Sequence, residues 1–173
     1  MRSITELTNL LNSISDSHHS WLTDNVISPV IKGSSKNKGN LYIGNIYSAL
    51  NEKMQRELHI KHIINLSSYD INNSNRDIDI LDIDILDSVD SNMKPHFDDC
   101  YRYIDNGLKT GNVLVNCFAG VSRSSTIVLY FLMRKYNMDL KEALKTMYLT
   151  RDIVNPNPSF MINLIDYEMN RTI

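Results

Sequence analysis

Five residues separate a cysteine from an arginine in this sequence, and this pair offers its clearest chemistry. Cys117 follows the apolar run 113–115, which predicts a buried strand, and Arg123 precedes a helical pattern that begins at about residue 124. A loop between a strand end and a helix N-terminus brings backbone N–H groups together, where they bind phosphate and favour a cysteine thiolate. The spacing therefore indicates a reaction in which Cys117 attacks a phosphoryl group.

The other residues of this loop suit that reaction. The planar guanidinium of Arg123 can bind two phosphate oxygens, and these contacts strengthen as the transition state spreads charge over the equatorial oxygens. Gly120 permits a tight turn, and the Ser124 hydroxyl can donate to the Cys117 sulfur when that sulfur leaves. The residues expected to bind the substrate phosphate together with Arg123 carry no charge: Phe118, Ala119, Gly120, Val121 and Ser122.

A carboxylic acid must protonate the oxygen that leaves the substrate. Asp87, which ends the alternating Asp/Ile segment 77–87, is our candidate, and Asp90, three residues later, is the alternative. Other aspartates of this segment could suggest a metal site, but the solvated face of an alternating strand accounts for them. Those other aspartates are Asp79, Asp82 and Asp84. The chemistry requires neither a metal nor a cofactor.

Hydrophobic periodicity predicts an α/β domain in which strands alternate with crossover helices. An amphipathic helix is predicted within residues 1–20 and a loop over residues 32–40. The predicted strands are 41–43, 62–66, 77–87 and 113–116, and the further helices are 51–58, 95–110, 124–136, 140–149 and 159–170.

Length and composition limit the class of function. The chain of 173 residues is one domain long, and its net charge of −2 argues against nucleic-acid and membrane partners. The two cysteines, Cys100 and Cys117, fit a reducing compartment, and we expect Cys100 to be a small core residue. Since neither a signal peptide nor a bilayer-spanning apolar run is evident, we expect a cytoplasmic protein.

Taken in order, the motifs resemble those of the dual-specificity protein phosphatases, a cysteine-dependent branch of the protein tyrosine phosphatase superfamily. The resemblance covers residues 39–170, and the loop 117–124 carries the signature. Asp87 lies ten residues before Phe97, as the family's general acid lies before an aromatic residue of its helix. The remaining matches are the strands 41–45 and 62–66, the helix segment 130–133 and the turn 155–160.

This resemblance implies a single α/β domain with a central mixed, mostly parallel sheet of about five strands flanked by helices. The catalytic domain would span 39–173, after an N-terminal helix and linker at 1–38. It also implies hydrolysis of phosphotyrosine, phosphoserine and phosphothreonine in proteins, because the short polar segment 67–76 would leave a shallow pocket. Cys117 would be the nucleophile, with Asp87 as the acid and base.

One position departs from the family pattern. Asn116 stands where the family has a histidine that orders the loop, and asparagine can form hydrogen bonds but cannot carry positive charge. We therefore expect the activity optimum to lie at higher pH than is usual for the family. The alternative function is that of a pseudophosphatase, a binding module that captures phosphorylated partners with little turnover. A rhodanese-like sulfur carrier is a weaker third hypothesis.

The arrangement of an N-terminal helix, a loop and the strand 41–45 is similar to that in poxvirus members of the family, where the helix mediates a dimer. This implies a homodimer formed through residues 1–20. For a viral protein the expected location would be the host cytoplasm or the virion.

Overall fold

A five-stranded sheet forms the centre of the molecule. The computed structural model describes residues 27–33, 38–71 and 77–171. Strand β1 pairs antiparallel with β2, and the other neighbours pair in parallel in the order β1-β2-β5-β3-β4. The predicted mixed, mostly parallel sheet is confirmed. The strands are β1 Ile27–Ile31, β2 Leu41–Gly44, β3 Ile60–Asn65, β4 Asp79–Asp82 and β5 Asn112–Asn116.

The residues of β5 explain its place in the middle of the sheet. A parallel strand that is covered on both faces needs an uninterrupted apolar run, and Val113, Leu114 and Val115 are all fully buried. Successive side chains point to opposite faces, so Val113 and Val115 join the larger core cluster while Leu114 joins the smaller one. Because β5 runs parallel to β2 and β3, its carboxyl end lies beside the carboxyl ends of both strands.

Helices cover both faces of the sheet. The first short helix contributes to the smaller cluster, the second contacts the first and β3, and the four longer helices contribute to the larger cluster. None of the helices in the described part of the chain is long and apolar enough to cross a bilayer. The helices are α1 Ile46–Leu50, α2 Glu52–Glu57, α3 Lys94–Thr110, α4 Arg123–Tyr136, α5 Leu140–Tyr148 and α6 Pro158–Asn170.

Helix α4 is the central helix of the fold. Every residue from Arg123 to Met133 is buried, which is typical of a helix surrounded by other elements on all sides. It contacts α3, α5 and α6 as well as β2 and β5. The loop that precedes it is therefore held between a central strand and a central helix.

Three elements of the structure differ from what the sequence predicted. Residues 27–31 form the edge strand β1, although they lie in the segment 1–38 that we predicted as a helix and linker. This strand was not predicted because it contains Pro29, and proline is accepted only at sheet edges and bulges. The pairing with β2 is irregular directly after Pro29. Helix α1 was not predicted. It begins after Asn45, whose side chain accepts a hydrogen bond from the backbone of Ser48.

The third difference is the length of β4. We predicted a strand over 77–87, but only Asp79–Asp82 pairs with β3. Beyond this segment the chain leaves the ladder and continues toward the end of β5. Alternation persists outside the ladder, since Ile83 and Ile85 are buried while Asp84 is exposed. The predicted helix within residues 1–20 lies outside the described residues.

Candidate active site

The Cys117 sulfur lies at the end of β5, buried beneath the loop that leads to α4. The backbone N–H of Gly120 donates to Sγ over 3.1 Å, and the Ser124 hydroxyl lies 3.2 Å from the same atom. Both groups can stabilise negative charge on sulfur by hydrogen bonding. The structure thus brings together two of the predicted catalytic residues, Cys117 and Ser124.

The Phe118 and Val121 carbonyls of the loop accept hydrogen bonds from residues outside it. The Ile46 N–H, at the start of α1, donates to the Phe118 carbonyl over 3.1 Å. The Asn155 N–H, which lies before α6, donates to the Val121 carbonyl over 2.9 Å. A trans peptide unit directs its N–H opposite to its C=O. Carbonyls that point outward therefore direct the adjacent N–H groups toward the concave side of the loop.

The two carbonyls between them are bound by one side chain. Arg151 donates from Nε to the Gly120 carbonyl over 2.7 Å and from an Nη atom to the Ala119 carbonyl over 3.3 Å. All four consecutive carbonyls of residues 118–121 thus accept hydrogen bonds from outside the loop. A row of inward N–H groups at a helix N-terminus forms an anion-binding concavity.

Arg123 is anchored by one edge of its guanidinium. One Nη atom donates to the Leu66 carbonyl over 2.7 Å and lies 3.3 Å from the Ile85 carbonyl. Nε is buried and has no hydrogen-bond partner within the described residues. Because buried donors nearly always form hydrogen bonds, a buried Nε without one fits a group that binds an oxygen of the substrate.

Asp87 lies against this loop. Its Oδ1 accepts hydrogen bonds from the Ser122 hydroxyl over 2.7 Å and from the Asn157 side-chain amide over 2.8 Å. Its Oδ2 lies 3.7 Å from Nε of Arg123. The alternative, Asp90, is exposed, and its backbone N–H bonds within its own turn to Ser88. The structure therefore brings Asp87 to the site through contacts that Asp90 does not make.

Asn157 is a site residue that sequence reasoning missed. Its Oδ1 caps α6 by accepting the Phe160 N–H over 3.0 Å, while its Nδ2 donates to Asp87. Its backbone N–H also donates to the Ser122 hydroxyl over 3.0 Å. An asparagine directly before Pro158 is a recognisable N-cap signal. That signal could have located the helix start, but not the contact with Asp87.

Asn116 is fully buried and connected to the sheet. Its Nδ2 donates to Oδ1 of Asn65 over 3.1 Å, and Nδ2 of Asn65 donates to Asp82 over 2.7 Å. These residues stand in register on β5, β3 and β4. The amide at position 116 therefore holds the end of β5 through an uncharged hydrogen bond to Asn65.

The predicted substrate-binding side chains divide into two groups. Phe118 packs on Tyr69 with ring centroids 5.9 Å apart, and Ser122 bonds to Asp87, so these two side chains contact the protein. Ala119 and Val121 are half-buried. The loop surrounds Cys117 mainly with its backbone, so a ligand would meet N–H groups before side chains.

Two other candidates lie apart from this site. Cys100 is fully buried in the larger core cluster, and burial raises the pKa of its thiol to about 12. Asp79, Asp82 and Asp84 are exposed along β4 and the segment that follows. Over the described residues, they belong to no group of three or more ligating side chains that could hold a metal ion.

Known proteins are similar to this chain in sequence and in fold. The family model of the dual specificity phosphatase catalytic domain matches residues 41–170. Dual specificity protein phosphatase 1 of Arabidopsis thaliana is 32% identical over 87% of this chain and 73% of its own length. Dual specificity protein phosphatase 15 of Mus musculus is 35% identical over 78% of this chain and 57% of its own length.

A solved structure agrees with this assignment. The crystal structure of DUSP15 superposes with a TM-score of 0.76 at 32% identity, covering 84% of this chain and 89% of that chain. The matched region contains the Cys117 loop, the Asp87 segment and the turn before α6. The chain therefore belongs to the dual specificity phosphatase family and is a cysteine-dependent protein phosphatase.

Proposed function

We propose that this chain hydrolyses phosphotyrosine, phosphoserine and phosphothreonine in protein substrates through a phosphocysteine at Cys117. The observation that carries this proposal is the loop backbone, in which the carbonyls of residues 118–121 point outward around a buried sulfur. Together with Nε of Arg123, which makes no hydrogen bond to the described residues, this arrangement fits the oxygens of a phosphoryl group.

In the first step the Cys117 thiolate attacks phosphorus, and the bond from phosphorus to the substrate oxygen breaks. The Asp87 carboxyl donates its proton to that oxygen, which leaves as the free hydroxyl of the protein. Arg123 and the loop N–H groups stabilise the charge on the equatorial oxygens. The hydrogen bonds from Ser122 and Asn157 hold Asp87 close to Arg123.

In the second step a water molecule attacks phosphorus, and the Asp87 carboxylate takes a proton from it. The bond from sulfur to phosphorus breaks, and the electron pair returns to Cys117 as a thiolate. The Ser124 hydroxyl, 3.2 Å from Sγ, can donate to the sulfur as its charge develops. Inorganic phosphate then leaves, and the site is ready for another substrate.

The range of substrates rests on the depth of the pocket. The connection from β3 to β4 covers residues 66–78, and Tyr69 within it is buried against Phe118. Leu86 and Val89 are exposed beside Asp87 and offer an apolar rim for the substrate. A shallow pocket would admit the shorter phosphoserine and phosphothreonine as well as phosphotyrosine.

Hydrolysis of three phosphopeptides that differ only in the phosphorylated residue tests this proposal. We expect the chain to release phosphate from all three, and Cys117→Ser to release none because its alkoxide does not form near neutral pH. Acid quenching of the wild-type reaction should trap phosphate on Cys117. Turnover by Cys117→Ser would contradict the mechanism, while release from phosphotyrosine alone would contradict the substrate range.

The pseudophosphatase alternative rests on Asn116 alone. It requires that the chain bind the same peptides without turnover until Asn116→His restores activity. The predicted homodimer depends on residues 1–20 and stays a prediction, as do a viral source and a cytoplasmic location. Light scattering of the full chain measures the oligomeric state.

A further inference from the structure

A buried arginine outside the signature contacts the active-site loop. Arg151 follows α5 and is 2% exposed. Its contacts include the loop carbonyls of residues 119 and 120 and the Ser28 hydroxyl on β1, which lies 3.2 Å from an Nη atom. Burying a guanidinium is unfavourable unless its donors are paired. Here two carbonyls of the loop accept hydrogen bonds from it.

One peptide unit connects this guanidinium to the nucleophile. The Ala119 carbonyl and the Gly120 N–H are opposite ends of the same unit. Arg151 lies 3.3 Å from the carbonyl end, and the N–H end donates to Sγ of Cys117 over 3.1 Å. A positive charge at the carbonyl polarises the peptide, so its N–H becomes a stronger donor to the sulfur.

The neighbouring peptide unit is held in the same way. Nε of Arg151 lies 2.7 Å from the Gly120 carbonyl, so the Val121 N–H of that unit points away from the guanidinium. Gly120 has φ +70°, and a Cβ there would lie 2.5 Å from an Nη atom of Arg151 and 2.7 Å from the Gly44 carbonyl oxygen. Only glycine permits this close approach.

The charges around the sulfur come from several elements. Arg123 on α4 is turned toward the Leu66 and Ile85 carbonyls and toward Asp87. Burial lowers the pKa of Arg151, whereas attraction to Cys117 and to Asp152 raises it. Arginine nevertheless stays charged at any physiological pH. Position 116, by contrast, carries no charge, and Ser124 contributes only a hydroxyl.

We propose that Arg151 is a positioning residue that orients the peptide units 119–120 and 120–121 and favours the Cys117 thiolate through the first of them. It contributes the positive charge that Asn116 cannot contribute. The inference rests on the proposed function, because that function makes Cys117 the nucleophile. It adds to the site a residue that lies 34 positions along the chain from the cysteine.

Alkylation of Cys117 by iodoacetamide as a function of pH tests this inference without turnover. Mass spectrometry of the labelled peptide identifies Cys117, and Cys100 stays unreactive because burial raises its pKa to about 12. We expect the midpoint of the pH profile to rise by about one unit in Arg151→Gln and by less in Arg151→Lys, which keeps the charge.

Ser28→Ala is the matched control, because it removes the contact of Arg151 with β1 and leaves both loop contacts in place. Its midpoint should equal that of the wild type. Thermal unfolding shows which variants are folded. If Arg151→Gln is not folded, the midpoint of Arg151→Lys decides the inference. A wild-type midpoint in the folded Arg151 variants would overturn the inference. Turnover by Cys117→Ser would instead overturn the proposed function.

Discussion

The active site has a nucleophile half, with Cys117 and Arg123, and an acid half, with Asp87. The two halves are held by different means. Cys117 is 1% exposed and Arg123 is 8% exposed, and both belong to the continuous unit of β5, loop and α4. The Asp87 side chain is 33% exposed and lies on an irregular segment after β4. Its contacts to the loop and to α6 are made by side chains, those of Ser122 and Asn157.

This difference makes the nucleophile half rigid and the acid half adjustable. The nucleophile half depends mainly on the packing of a central strand and a central helix, while the loop between them is held by backbone hydrogen bonds and by the side chain of Arg151. The acid half depends on two side-chain hydrogen bonds, whose loss would leave the fold intact but free the carboxylate. Mutations should therefore affect chemistry most in the first half and positioning most in the second.

The largest effect is expected for Arg123→Lys in the nucleophile half. Lysine keeps the charge but cannot bind two phosphate oxygens while contacting the Leu66 carbonyl, so kcat should fall about 10³-fold. Steady-state hydrolysis of an aryl phosphate measures this change. Arg134→Lys, on the exposed side of the same helix, should leave kcat unchanged. A small loss in Arg123→Lys would contradict the bidentate role.

The next effect is expected for Asp87→Asn in the acid half. Without the proton donor, kcat should fall about 10²-fold for an alkyl phosphate, and less for an aryl phosphate whose leaving oxygen needs little protonation. Comparing the two substrates measures the effect. Asp90→Asn is the matched control and should retain activity on both. If the two variants behaved in the opposite way, Asp90 would be the acid.

A smaller effect is expected for Asn157→Ser. Serine can cap α6 as well as asparagine does, but it is too short to donate to Asp87. We expect unchanged thermal stability and a kcat about fivefold lower on the alkyl phosphate. Asp139→Ala supplies the converse control, because it removes the capping box of α5 and should lower stability by about 1 kcal/mol without changing kcat. Full activity in Asn157→Ser would show that Ser122 alone positions Asp87.

The smallest effect is expected for Asn116→His. A histidine that can carry positive charge next to Cys117 should move the optimum of kcat/KM to lower pH by about half a unit. The pH profile on an aryl phosphate measures this shift. Asn65→Ser tests the other contribution, since it removes the partner of Asn116 without adding charge and should leave the optimum in place. An unchanged optimum in Asn116→His would contradict the expectation drawn from the sequence.

Local patterns predicted most of the elements that carry the site. The apolar run of β5 and the periodic pattern of α4 are both properties of consecutive residues, so the strand, the loop and the helix were predicted within one residue. Strand β1 was missed because its pairing with β2 compensates for Pro29. The extent of β4 was overestimated because alternation continues beyond the residues that pair with β3.

By itself the sequence determined which residues could do the chemistry, since Cys117 and Arg123 are recognisable from residue type and spacing and the acid was narrowed to Asp87 or Asp90. Only the tertiary structure decided how they are held. Arg151 and Asn157 reach the site through hydrogen bonds that span 31 and 70 positions, and no local pattern encodes contacts between segments that folding alone brings together.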